Sequence, residues 1–183
     1  GEQDLHTIKF DYEFSNKVEG EMSFTAWYKY QNSVFPFTIF PPGSVLPLNN
    51  QGNLSFVDIT TFATFTDGYI GHPGNKDEQY HVNLSHLFNL TDFHKIRWEV
   101  GAERQFYTPF EDKNFGPSIL NGTETVVDGT LFSVTNTPHL YANKSEREFI
   151  FVSLQDEWQI NDDIAINLGA RYDRYSDFGN TLN

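Results

Sequence analysis

The 183 residues contain no cysteine, a single methionine and no apolar run long enough to cross a bilayer as a helix. The first absence excludes a disulfide framework and any thiolate metal site. The last excludes a helical span, which needs about 20 consecutive apolar residues. Positive charge is scarce: 12 lysines and arginines stand against 25 acidic residues, a formal net charge of −13. That balance cannot neutralise phosphates, so it argues against nucleic-acid binding, and equally against a polybasic membrane-surface anchor. The start, Gly1-Glu2-Gln3-Asp4, has neither the basic end nor the apolar core of a secretion signal. Such a signal has been removed, or the chain is an internal piece.

Catalytic patterns are missing as well. The histidines are His6, His72, His81, His86, His94 and His139, and none has the two-apart or His-Glu-x-x-His spacing of a zinc site. No serine sits in a Gly-x-Ser-x-Gly setting, and no glycine loop is built for phosphate. These absences predict no enzyme, no metal centre and no cofactor.

What the chain does have is aromatics and alternation. Hydrophobic residues make up only 38%, yet 18 Phe and 9 Tyr bring the aromatics to 16%. A small apolar share that is rich in aromatics suits a barrel that is apolar outside, wet inside and ringed by aromatics. The last stretch is the clearest case. Ile150, Val152, Leu154, Trp158 and Ile160 precede the polar turn Asn161-Asp162-Asp163, and Ile164, Ile166, Leu168, Ala170 and Tyr172 follow it. Ser153, Gln155, Glu157, Gln159, Asn167, Arg171 and Asp173 take the opposite face, because side chains alternate along a strand.

The same period runs through Thr7 to Phe14, Glu21 to Tyr30, Gln79 to Leu90 and Lys95 to Phe106, with Trp27 out of step on a polar face. Three connections are short: Asn16 to Gly20, Thr91 to His94, and Asn161 to Asp163. Two are long, Gln31 to Glu78 and Tyr107 to Arg147, each about forty residues, which is uncommon in compact soluble domains. Prolines and glycines at Phe35-Pro36-Phe37, Phe40-Pro41-Pro42-Gly43 and Gly71-His72-Pro73-Gly74 predict loop there, with a short strand pair possible within Leu54 to Phe65. Short and long connections alternate. All the short turns therefore fall at one end, as in an outer-membrane barrel with periplasmic turns and extracellular loops. The expected fold is all-β, an antiparallel transmembrane β-barrel of which about six to eight strands are present. Gly179-Asn180-Thr181-Leu182-Asn183 predicts no apolar closing strand.

Gln155-Asp156-Glu157-Trp158, a turn containing Asp, and then Gly169-Ala170-Arg171-Tyr172-Asp173 resemble the barrel hairpin of TonB-dependent outer-membrane receptors. The specific match covers the last stretch; the remainder agrees in pattern. The resemblance implies that residues 1–183 are part of a larger barrel domain, of about 22 strands in such transporters, with the plug domain expected to be absent from them. It implies residence in the outer membrane of a Gram-negative bacterium, with outer-membrane lipid as a partner. It also implies uptake of a ferric siderophore or similar scarce nutrient, driven by the TonB complex through that plug. In this motif Arg171 and Asp173 have an architectural role. A passive porin-like barrel and a soluble, secreted, carbohydrate-binding β-sandwich remain as alternatives.

Ligand contacts are expected on the long loops. The candidates are Phe37, Tyr69 and His72 in the first, and Tyr107, Phe115, His139 and Tyr141 in the second. Arg97, Glu99 and Glu103 share the polar face of one strand, predicting ladders of opposite charge across neighbouring strands. Gly101 and Gly169 lie mid-strand on that face, where a missing side chain either leaves room for a neighbour or eases curvature. Asp156 is the awkward residue, a carboxylate on the apolar face.

Overall fold

The computed structural model describes residues 1–16 and 20–183. The short turn expected at Asn16 to Gly20 therefore falls largely outside the described residues. Among the described residues twelve strands are present: β1 (Glu2–Asn16), β2 (Gly20–Val34), β3 (Phe37–Phe40), β4 (Ser44–Leu48), β5 (Thr61–Phe65), β6 (Tyr69–Asn89), β7 (His94–Lys113), β8 (Val126–Val127), β9 (Phe132–Ser133), β10 (Ser145–Asn161), β11 (Ile164–Tyr175) and β12 (Gly179–Leu182). No helix occurs among the described residues. The main sheet runs in the order β1-β2-β6-β7-β10-β11-β12, with β3 beside β6 and β9 beside β7. Its two ends, β1 and β12, are not paired with one another, so these residues do not close a barrel.

The six long strands are those the alternation predicts, but they reach further. β6 runs straight through Gly71-His72-Pro73-Gly74, where a loop is expected. The phenyl ring of Phe37 lies against Gly71, where a Cβ would come within 2.4 Å of it. The Pro73 carbonyl accepts from the Phe35 amide at 2.8 Å. Proline forfeits only its N–H, so a partner that uses its carbonyl leaves the strand intact. A second difference lies at the end of the chain. Gly179–Leu182 does form a strand, pairing antiparallel with β11 through Tyr172↔Leu182 to Tyr175↔Gly179. Its turn, Ser176 to Phe178, is therefore a short connection at the end of β11 opposite Asn161. β12 has no apolar pattern, and backbone pairing alone defines it.

The residues fall into two compact units. The first comprises residues 1–4, 31–76 and 107–144. The stretches expected to be long loops carry a second small sheet here, β4-β5-β8. β4 and β5 pair antiparallel from Ser44↔Phe65 to Leu48↔Thr61, and β8 lies parallel to β5 through Thr64↔Val126. The expected strand pair within Leu54 to Phe65 is thus half right. Thr61 to Phe65 is a strand, its partner is Ser44 to Leu48, and Leu54 makes only an isolated bridge to Leu48. Leu46, Leu48, Ala63, Phe65, Tyr69, Leu120 and Val127 form the core. Asn114 is fully buried and binds three stretches together. Its amide donates to the carbonyls of Gly68 and Asp128, both at 2.9 Å, and its Oδ1 accepts from the Ile70 amide at 2.9 Å.

The second unit comprises residues 5–30, 77–106 and 145–183. It is a single layer. Among the described residues, Phe151 is the only buried apolar residue that belongs to it; the others are all in the first unit. The even-numbered apolar positions are open: Ile8, Phe10 and Tyr12 on β1, Tyr80 and Val82 on β6, Ile150, Val152 and Leu154 on β10, Ile164, Ile166 and Leu168 on β11. In water such a face would be a contiguous exposed apolar patch of the kind soluble monomers rarely carry. Among the described residues no second sheet covers it within the unit, so this is not the layered core of a β-sandwich.

Candidate functional site

The odd-numbered face of the second unit is polar and internally bonded. Trp27, the residue out of step in the alternation, stacks flat on His81 with ring centres 5.0 Å apart. His81 Nδ1 lies 3.3 Å from Glu103 Oε2. The Asn83 amide donates to Glu99 at 2.7 Å, Ser23 and Ser85 share a hydrogen bond of 2.7 Å, and Thr25 donates to Asp11 at 2.8 Å. The expected ladders of opposite charge thus give way to histidine, amide and hydroxyl partners. Arg171 donates to Asp173 at 2.8 Å within its own strand and lies 4.2 Å above the Phe151 ring. Phe151 in turn covers Gly101, where a Cβ would approach the ring to 2.4 Å. Gly101 is therefore the space left for a neighbour. Gly169 meets nothing closer than 3.5 Å, so no ring occupies the equivalent place in the last hairpin.

The remaining residues of the last hairpin are strand-pair positions. Gln155 lies opposite Gly169, Glu157 opposite Asn167, and Tyr172 opposite Val152. Asp156 is explained by a residue far away in sequence. Its Oδ2 stands 2.8 Å from Nδ1 of His94, and the His94 ring stacks on Trp158 at 5.5 Å. The apolar face thus keeps one oxygen of its acid paired, beside an aromatic ring and close to a turn, while Oδ1 is buried without a hydrogen-bond partner.

Aromatics mark two levels on that face. At one end Tyr28 packs on Tyr80 (4.9 Å) and Tyr80 on Phe106 (6.1 Å), with the Tyr80 hydroxyl donating to Glu78 at 2.9 Å. Arg104 lies over Phe106 and reaches Glu146 and Glu148. At the short-turn end stand Phe88, Trp98 and Trp158, with His86 packed against both Phe88 and Trp98. Tyr80 and Phe88 are eight residues apart on β6, and so are Trp98 and Phe106 on β7. Eight residues of strand span about 26 Å, or about 20 Å once strands tilt by 35–45°. That separation matches two interfacial girdles with an apolar band between them.

The candidate ligand contacts all lie in the first unit, in separate groups. Tyr69 and Phe115 stack with centres 3.9 Å apart, and Phe37 lies 6.4 Å from Phe115. Tyr69 is itself a core residue, flanked by Phe40 and Phe65. Burial, and then the Glu111 carboxylate, push its hydroxyl up to a pKa of about 12. Beside the stack is a buried ion pair. Lys113 Nζ lies 3.0 Å from Glu111 Oε2 and 5.3 Å from the Phe115 ring centre, and donates to the His139 carbonyl at 3.1 Å. His139 therefore contributes its backbone at that point. Tyr107 and Tyr141 bring their hydroxyls within 3.2 Å of each other, and Tyr141 also donates to the Gly74 carbonyl at 2.8 Å. His72 is half-buried on β6. No group of three metal-ligating side chains occurs among the described residues.

Sequence reasoning passes over the Glu111–Lys113 pair, although two-apart spacing on a strand places both on one face. It also passes over Phe56 and Val57, which are 71% and 88% exposed and form the most open apolar point of the first unit. Two carboxylates of the first unit are held as anions. Burial works against the Glu124 carboxylate, but backbone amides from Asn121 to Glu124 outweigh it and hold the pKa below the usual value. Thr130 does the same for Asp128 through backbone and side-chain hydrogen bonds.

A comparison with family models finds a match to the one described as TonB dependent receptor-like, beta-barrel, over residues 1–183. No curated protein and no solved structure matches the chain. A single-layer antiparallel sheet with one open apolar face, a bonded polar face, two aromatic levels and a family match along its whole length lead to one conclusion: the chain belongs to the β-barrel domain of the TonB-dependent receptors, a family of outer-membrane transporters.

Proposed function

We propose that these residues form part of the wall and outer surface of a receptor that takes up a scarce nutrient of the ferric siderophore class. In this reading TonB supplies the energy, acting through a plug inside the barrel, in the outer membrane of a Gram-negative bacterium. The observation that carries it is the second unit's open apolar face, which requires hydrocarbon as its solvent, backed by a polar face suited to a wet lumen. Residues 31–76 and 107–144 then belong to the outer surface, where ligand is first met. Tyr107, Tyr141, His72 and His139 are the contacts we assign to ligand. Phe37, Tyr69 and Phe115 hold the fold that presents them, since Tyr69 sits in the core and the other two lie against its stack. Tyrosine rings and hydroxyls and histidine imidazoles offer stacking and hydrogen bonds to an oxygen-rich chelate.

The test is uptake of radiolabelled iron, presented as a set of chelates, by cells whose only ferric-chelate receptor is the intact protein. Accumulation that stops when TonB is inactivated supports the reading. Accumulation that continues without TonB points to a passive pore, and no accumulation from any chelate removes the iron assignment.

A further inference from the structure

On the even-numbered face of the second unit lies an open groove of about 610 Å³. It is lined mainly by even-numbered residues, among them Phe10 of β1, Ala26 of β2, Tyr80 and Val82 of β6, Ala102 of β7 and Ile150 of β10, and four odd-numbered neighbours also border it. The reason for the hollow is side-chain size. Ala26 and Ala102 offer only methyl groups, whereas Phe10 and Tyr80 rise beside them. We propose that this groove holds one acyl chain of an outer-leaflet lipid as a fixed, specific contact, distinct from the exchanging lipid around the rest of the barrel.

Position identifies the occupant. The groove is continuous with the apolar face that the family places against hydrocarbon, and it crosses the strands beside the Tyr28–Tyr80 pair. On the apolar side of that girdle a membrane presents methylene chains. Left empty, the groove would forfeit dispersion contacts along its whole lining. It crosses five neighbouring strands, β1, β2, β6, β7 and β10. Four inter-strand gaps amount to about 19 Å, against about 15 Å for one leaflet's half of the hydrocarbon core. A single chain therefore fits when inclined along the groove. Arg104 and Glu148 also line it, and Glu146 pairs with the same arginine. Two carboxylates around one guanidinium favour a headgroup that brings hydroxyl or ammonium donors over one that brings bare phosphate.

The experiment uses the intact receptor extracted from its own membrane in mild detergent, washed, and examined for retained lipid by native mass spectrometry. The native protein should keep a tightly held lipid. A double variant with Ala26→Phe and Ala102→Phe, which fills the groove, should lose it. Leu168→Phe, an equally outward position on β11, should keep it. Equal retention by the native and filled proteins overturns the proposal, as does a native protein that keeps no lipid. A density map of the native receptor in a lipid nanodisc gives a reading free of any variant. A continuous rod of density over Ala26 and Ala102 supports the site, and featureless bilayer density there contradicts it.

Discussion

His94 and Asp156 meet on the apolar face, imidazole Nδ1 to carboxylate Oδ2 at 2.8 Å, although 62 residues separate them in the chain. The pair makes an outward acid tolerable beside an aromatic girdle, because a carboxylate stripped of its partner bears the full cost of desolvation. His94→Ala is expected to destabilise the folded receptor by about 1–3 kcal/mol. Asp156→Asn placed on top should cost little more, because the interaction is already gone. A double-mutant cycle from urea unfolding in lipid vesicles measures this, and strictly additive losses would show that the two side chains do not interact.

The contact between Phe151 and Gly101 makes a second prediction. Any Cβ at position 101 collides with the ring. Gly101→Val should therefore cost about 1–3 kcal/mol as overpacking. Adding Phe151→Ala should return part of that loss by opening the space. Thermal midpoints of the four proteins decide it. A Gly101→Val protein as stable as the native one would place the ring elsewhere.

Tyr69 gives a prediction in alkali. Its folded pKa is raised to about 12 from the ordinary 10. The neutral phenol is thus the form the fold favours, and the stabilisation is complete below about pH 10. It is lost as pH rises from about 10 to about 12, an effect of at most about 2–3 kcal/mol. Ultraviolet titration of the native protein should show a last tyrosinate step near the upper end of that window, and Tyr69→Phe should lack it. An unchanged titration curve in the variant would assign the late step to another tyrosine.

How much of this could be read beforehand depended on the range of the interactions. The strands of the second unit announce themselves because one face meets an apolar phase and the other a polar one, which writes a period of two into β1, β6, β10 and β11. The first unit writes no such period. β4, β5 and β8 are five residues or fewer, and β4 carries Pro47. Their pairing comes from contacts between distant segments, such as Thr64 with Val126. The glycines of β6 look like breakers until the rings of Phe37 and Phe110 are seen against them. Tyr69 reads as a loop aromatic for the same reason, although it is a core residue. Of the candidate contacts, the sequence indicates which residue types gather in the long segments. It does not indicate that Tyr107 and Tyr141 share a hydroxyl contact, since only the folded path of residues 107–144 brings them together.

Position within the membrane offers a sharper contrast. Arg at Val152 or Leu168, both outward on the last hairpin, should cost about 2–4 kcal/mol if it falls near mid-bilayer. Arg at Gln155 or Asn167, on the polar face of the same strands, should cost much less. Folding yield into vesicles reports the difference, and equal penalties on both faces would remove the distinction between them.

The central claim is that even-numbered side chains of the second unit face lipid and odd-numbered ones face water. Site-directed nitroxide labels placed one at a time from Ile150 to Gln155 in the intact receptor, reconstituted in bilayers, test it directly through collision with oxygen and with a water-soluble nickel chelate. The account predicts oxygen-dominated collisions at 150, 152 and 154 and nickel access at 153 and 155, with 151 shielded from both beneath Arg171. Even positions that meet neither reagent would mean a second protein layer covers them, and the account would be wrong.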